Sequence, residues 1–226
     1  LRIICIGAHP DDVELSMGGT ILKLQKSHHE ILLVDLTNGE PTPFGDPETR
    51  KKESTQAADI LGVSRITLQH PNRYLQDSLD VRKDLARVFR DFKPELIFTH
   101  YEFDVHPDHK AASSLTEAAR FYSKLTKSDI PGEPFFPPKI LYYFPNHVHI
   151  QLLPSFCVDI TDYIETKEKV LKTYESQFIK SGKSDLLDEF FETNRYYGIR
   201  IGTLFAEPFY SRETININYF SKLFST

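Results

Sequence analysis

Short apolar runs alternate with helical patterns through the first half of the chain, and this alternation limits the fold more than any other feature. Arg2–Ala8 reads as a buried strand, Gly19–Ser27 as a helix and Glu30–Leu36 (EILLVDL) as a second strand. Pro47–Leu61 carries the punctuation of a helix: Asp46 is placed to cap it, Pro47 suits its first turn, and Gly62 is placed to end it. Arg65–Leu68 is a short third strand. The next helix puts Val81, Leu85, Val88, Phe89 and Phe92 on one face, the spacing of an amphipathic helix. Pro94 stops it, Glu95–Thr99 (ELIFT) is the fourth strand, and a further helix runs from Pro107 to Lys124.

Alternation of this kind predicts an α/β fold, a Rossmann-like, mostly parallel sheet flanked by helices on both faces. After a Pro-rich connection (Thr126–Pro138), the pattern changes to a C-terminal αβ elaboration. Strands are expected at Ile140–Phe144 and Ser155–Ile160, a long helix over Asp162–Phe178 and another over Leu186–Tyr197. There is no internal repeat, and residues 1–226 are read as one domain. The hydrophobic fraction of 40% is enough for a core of that size.

In an open parallel sheet, ligands bind beyond the carboxyl ends of the strands, where the strand order reverses. For this alternation that point falls between the first and fourth strands. Past the first lie His9, Asp11, Asp12 and Glu14; past the fourth lie His100, Asp104, His106, Asp108 and His109. Two groups far apart in sequence should therefore meet. Imidazole and carboxylate donors without sulfur suit a catalytic metal site that keeps an open position, and the adjacent Asp11 and Asp12 can divide the work of base and ligand. A capped helix start alone would explain AHPDD, but not the same chemistry repeated as HPDH at the partner strand.

Other classes are disfavoured. GAHPDD stands where a dinucleotide enzyme needs G-x-G-x-x-G, and no G-x-S-x-G elbow is present. A net charge of −5 argues against nucleic-acid partners, and no apolar run is long enough to span a membrane. The opening apolar run is short and leads straight into HPDD, unlike a secretory leader, although the chain begins at Leu1 and a segment could precede it. Cys5 and Cys157 lie in apolar runs and read as buried thiols of a cytoplasmic protein.

At these residues the chain resembles the PIG-L/LmbE family of zinc-dependent de-N-acetylases. The resemblance rests on AHPDDVELSMGGT (Ala8–Thr20), LTNGE (Leu36–Glu40), ETRKKE (Glu48–Glu53), HPDH (His106–His109) and YGIRIGTLFAEPF (Tyr197–Phe209). Within the family it is most similar to deacetylases of bacillithiol biosynthesis, through DLTNGE, PPKILYYF, FCVDITDYIETK and YESQF. The resemblance implies hydrolysis of the N-acetyl group of a GlcNAc-containing small molecule, GlcNAc-malate in the narrower reading. It implies that His9, Asp12 and His109 hold Zn2+ (Fe2+ suits the same ligands) and that Asp11 is the general base. His106 would stabilise the oxyanion and protonate the leaving amine, Asp108 would stand behind His106 and orient it, and Arg50 would contact the substrate. Relatives also suggest a homo-oligomer. The rival readings are a metal hydrolase of another N-acyl amino-sugar conjugate or of a phosphate ester, and a non-catalytic sugar-binding relative.

The chain departs from the family where D-R-H-P-D-H becomes DVHPDH, with Val105 for arginine, and where Asn72 replaces a usual acid; Phe44 makes the Pro41–Pro47 loop bulkier. Six further positions carry open readings. His147 and His149 are two apart and could bind a second metal, and His70 could reach the cleft rim. His100 could be structural or could support a metal ligand, Glu53 could pair with Arg50, and Glu207 could be a rim contact or a structural acceptor.

Overall fold

The computed structural model describes residues 1–144 and 153–224. In chain order the elements are β1 (Arg2–Gly7), α1 (Asp12–Lys26), β2 (Glu30–Thr37), α2 (Pro47–Leu61), β3 (Ser64–His70), α3 (Leu79–Phe92), β4 (Leu96–His100), α4 (Pro107–Ser123), β5 (Ile140–Tyr143) and β6 (Phe156–Asp159). After a 3-10 turn at Thr161–Tyr163 come α5 (Ile164–Lys172), α6 (Glu175–Phe178), α7 (Ser184–Ile201), β7 (Ala206–Tyr210) and α8 (Ile217–Ser221).

The strands form one seven-stranded sheet in the order β3-β2-β1-β4-β5-β7-β6. β1 to β5 are parallel, and β7 runs antiparallel to both β5 and β6. Strand order reverses between β1 and β4, the predicted switch point. Alternating side chains feed two cores, as the period of two requires. Ile3, Cys5 and Leu33 pack on one face with α1, α2 and α5; Ile4, Ile6 and Val34 pack on the other with α3 and α4. Tyr142 and Tyr143 are buried in this packing, and the Tyr143 hydroxyl donates to the Ile6 carbonyl at 2.6 Å. Cys5 is buried, Cys157 half-buried, and both are free thiols. Among the described residues no helix is long and apolar enough to cross a membrane.

The N-terminus of α2 forms as its sequence dictates. Asp46 accepts from the Glu48 and Thr49 N–H groups, and Gly62 ends the helix at φ 69°. Three expectations need correction. The first helix begins at Asp12 rather than Gly19, so its first turn takes in the last residue of AHPDD. The long helix expected over 162–178 breaks at Thr173–Tyr174, where the buried Tyr174 turns its hydroxyl onto Glu14 Oε1 at 2.5 Å. A strand not anticipated, β7, contains Glu207 and Pro208, two residues that depress strand propensity.

Glu207 accounts for that strand's place. The helical backbone of α1 is interrupted at Met17 (φ −143°, ψ 21°), and such a kink takes N–H groups out of the helical ladder. The Glu207 carboxylate accepts from Gly19 N–H at 3.0 Å and Thr20 N–H at 2.7 Å, and Lys167 Nζ closes the cluster at 2.6 Å. Glu207 is therefore a structural acceptor in the core, not a rim contact.

Candidate active site

The β1–α1 turn and the β4–α4 loop converge as the strand order requires. From the first come His9, Asp11 and Asp12; from the second, Asp104, His106, Asp108 and His109. Both imidazoles expected to hold the metal face the Asp12 carboxylate, with His9 Nδ1 3.3 Å from Oδ2 and His109 Nε2 3.1 Å from Oδ1. Donor atoms of His9, His106 and His109 lie within 4.8 Å of one another, as do those of Asp12, His100 and His109. His147 and His149 fall outside the described residues.

The electrostatics fit a cation at this point. Burial alone would lower the His9 pKa, yet the Asp12 carboxylate and the hydrogen bond to Asp108 push it up to about 9. Burial likewise opposes, and Asp12 and Asp104 outweigh it, in raising His109 to about 10. Two imidazole nitrogens thus face one buried carboxylate at 3.1 and 3.3 Å, a donor set that a shared cation would satisfy. Two imidazoles and one carboxylate in this arrangement match a three-ligand divalent site.

Asp11 sits at the N-cap of α1 with φ 108°, a backbone conformation that side chains other than glycine's rarely adopt. Burial raises its pKa to about 7, opposed by the Arg50 guanidinium, whose Nη2 donates to Asp11 Oδ2 at 3.0 Å. Gly39 (φ 74°) leaves room for that contact, because a Cβ there would stand 3.0 Å from Arg50 Nε and 3.2 Å from Pro10 Cδ. Arg50 is itself buried, and Glu53, expected beside it, instead accepts from the Ser176 N–H and hydroxyl at 2.7 Å each.

His106 caps α4 and receives the Asp108 N–H on Nδ1 at 3.2 Å. Burial and the neighbouring His109 charge lower its pKa to about 4, so the ring is neutral at ordinary pH. Nδ1 being an acceptor, the ring proton is on Nε2. The Asp108 carboxylate does not stand behind this ring. Its Oδ2 lies 3.2 Å from His9 Nε2 and accepts from Arg73 N–H at 2.7 Å. His100 is buried, accepts from Ala8 N–H on Nε2 at 3.0 Å and stacks on His109 with ring centroids 4.1 Å apart, so it braces that imidazole. His70 lies 3.4 Å from Asp84, a residue of α3, and does not line the cleft.

A cleft of about 240 Å³ opens over His9, Asp11, Asp12, Arg50 and His106. Asn72 and Arg73 form part of its wall, and Gln177, Phe178, Lys183 and Phe190 come from α6, α7 and the segment between them. Gln177 and Phe178 belong to the YESQF segment, while Lys183 and Phe190 lie in no motif; all four follow the break in the helix at Thr173–Tyr174. Val105, in place of the family's arginine, is exposed and does not line the cleft.

The family model described as "PIG-L: GlcNAc-PI de-N-acetylase" matches residues 4–120. The diacetylchitobiose deacetylase of Thermococcus kodakarensis is 30% identical over 223 residues, covering 91% of this chain and 81% of that protein. The probable N-acetyl-alpha-D-glucosaminyl L-malate deacetylase 2 of Bacillus anthracis is 25% identical, covering 78% of this chain and 81% of that protein. Among solved structures, a conserved protein of Thermus thermophilus superposes with a TM-score of 0.88 at 35% identity, covering 95% of this chain and 96% of the other.

Proposed function

The chain belongs to the PIG-L family of metal-dependent deacetylases, and from that premise we propose that it hydrolyses the N-acetyl group of a GlcNAc-containing small molecule at the His9–Asp12–His109 site. The observation that carries this reading is the meeting of those three side chains around Asp12, with His9 and Asp12 lining the same cleft as Asp11 and His106 and the buried His109 packed behind them. Zinc is the metal we propose, and it would polarise the amide carbonyl and make water a stronger acid.

The chain's own groups supply the rest. Asp11 keeps Oδ1 for the attacking water while Arg50 holds Oδ2, so its carboxylate receives a proton from that water and passes it to the departing amine. His106 presents Nε2–H, the nitrogen opposite the one fixed by the Asp108 N–H, to the oxygen that gains charge. Removing a donor of this kind costs about 3–4 kcal/mol in comparable reactions. The products are acetate and a free amino sugar.

Within this class GlcNAc-malate is the substrate we propose, supported by DLTNGE, PPKILYYF and YESQF and by likeness to a protein named for that activity. A second reading, a diacetylchitobiose-like substrate, is favoured by the greater coverage of the Thermococcus kodakarensis relative. The free thiols of Cys5 and Cys157 support a reducing, cytoplasmic setting. The bond from β7 to α1 supports reading 1–226 as one domain.

The test is release of free amine by metal-loaded protein from a panel of GlcNAc-malate, diacetylchitobiose, GlcNAc-inositol and GlcNAc. Turnover of the malate conjugate above the others is expected. Bound metal with no turnover on any member would overturn the reading.

A further inference from the structure

We propose that Asp108 and Asp104 are positioning residues of the metal site, one for each imidazole ligand, and that Asp108 does not serve His106. The inference rests on the reading of His9 and His109 as metal ligands. A histidine that binds a metal through one ring nitrogen is oriented by the hydrogen bond its other nitrogen donates, and a carboxylate acceptor there also raises its basicity.

The two ligands use opposite nitrogens. His9 turns Nε2 to Asp108 Oδ2 at 3.2 Å and leaves Nδ1 facing Asp12 Oδ2 at 3.3 Å. His109 turns Nδ1 to Asp104 Oδ2 at 2.6 Å and leaves Nε2 facing Asp12 Oδ1 at 3.1 Å. The nitrogens left over point at the same carboxylate, and those turned away each meet an acid that is itself buried.

Both acids are held in place by backbone. Asp108 Oδ2 accepts the Arg73 N–H at 2.7 Å, made available by a positive φ of 70° at Arg73. Asp104 Oδ1 accepts the His106 N–H at 2.9 Å. Asp108 Oδ1 meets no hydrogen-bond partner among the described residues, so neither carboxylate oxygen of Asp108 bonds to the His106 ring. Only its N–H does, and that group survives any side-chain replacement. In DVHPDH the two aspartates therefore each hold a different proposed ligand, while His106 lines the cleft.

The experiment compares metal affinity and ring protonation in Asp108→Asn, Asp104→Asn and His106→Ala, using zinc competition against a chromogenic chelator and 15N NMR of histidine-labelled protein. Each aspartate variant is expected to bind zinc about 10–100-fold more weakly, with part of the lost turnover restored by excess metal. His106→Ala should keep the affinity of the parent. In the zinc-loaded parent, the His9 proton should be on Nε2 and the His109 proton on Nδ1; Asp108→Asn should shift the His9 resonance and leave His106 in place. Asp108→Glu should recover part of the affinity, which a change in folding alone would not produce. Unchanged zinc affinity in Asp108→Asn, or a His9 proton on Nδ1, would overturn the proposal. Because zinc binding is read without substrate, failure of the substrate panel would leave these outcomes intact, and the two readings can fail separately.

Discussion

Lys167 Nζ lies 2.6 Å from Glu207 Oε1, and both side chains are wholly buried. The pair joins α5 to β7, and through Gly19 and Thr20 it reaches α1. Removing one member strands the other charge in the core. Glu207→Gln is expected to lower unfolding stability by about 3–5 kcal/mol, measured by chemical denaturation. Adding Lys167→Met should return a substantial part of that loss, because no buried charge then remains. A double variant no more stable than the single would show that the charge pair is not the source of the cost.

Asp11→Asn tests the base. Asparagine tolerates left-handed backbone, and its amide oxygen can still accept from Arg50, so the fold and the metal ligands should be kept. Turnover should fall by a factor of about 10²–10⁴ with zinc stoichiometry unchanged. A variant that turns over at the parental rate would remove Asp11 from that role.

Chelation should abolish amine release, and readdition of zinc should restore it. Metal binding should also stabilise the fold, since the ligand set is assembled only in the folded chain. At free zinc about 100 times Kd the gain is about 2.7 kcal/mol, visible as a rise in Tm. Equal Tm values with and without zinc would contradict a site built from His9, Asp12 and His109.

Glu213 gives a pH dependence away from the site. Partial burial would raise its pKa, but hydrogen bonds from Arg120 and Lys139 outweigh that and hold it below its ordinary 4.5. A depressed carboxylate adds stability above its unfolded pKa and loses it as pH falls through the folded value. Glu213→Gln should therefore be less stable than the parent at neutral pH, with the gap closing below about pH 4.5. A gap of constant size through the acid range, followed by thermal denaturation, would rule out this contribution.

The meeting of AHPDD with HPDH was legible because both motifs directly follow strands that a right-handed parallel arrangement places side by side. What was not legible depends on contacts that no local pattern encodes. Asp108 finds His9 99 positions away, and nothing in HPDH distinguishes that partner from His106. Asp104 was visible as a polar residue, but its five-residue offset from His109 does not reveal that one oxygen meets the ring and the other a backbone N–H. The start of α1 was hidden by the paired aspartates and by Gly18–Gly19, which lower helix propensity where tertiary bonds override it. β7 was hidden because its Glu207 serves another element, so its side chain is wrong for a strand and right for the kink it caps.

The capping of that kink makes the recognisable catalytic motifs dependent on sequence that looks peripheral. The family match ends at residue 120, yet the helix bearing Asp12 relies on an acceptor supplied 188 positions after Gly19. A chain shortened before Ala206 would keep every proposed ligand and still lose the brace beneath one of them. Transplanting the first half alone into another scaffold is therefore a poor route to a working enzyme.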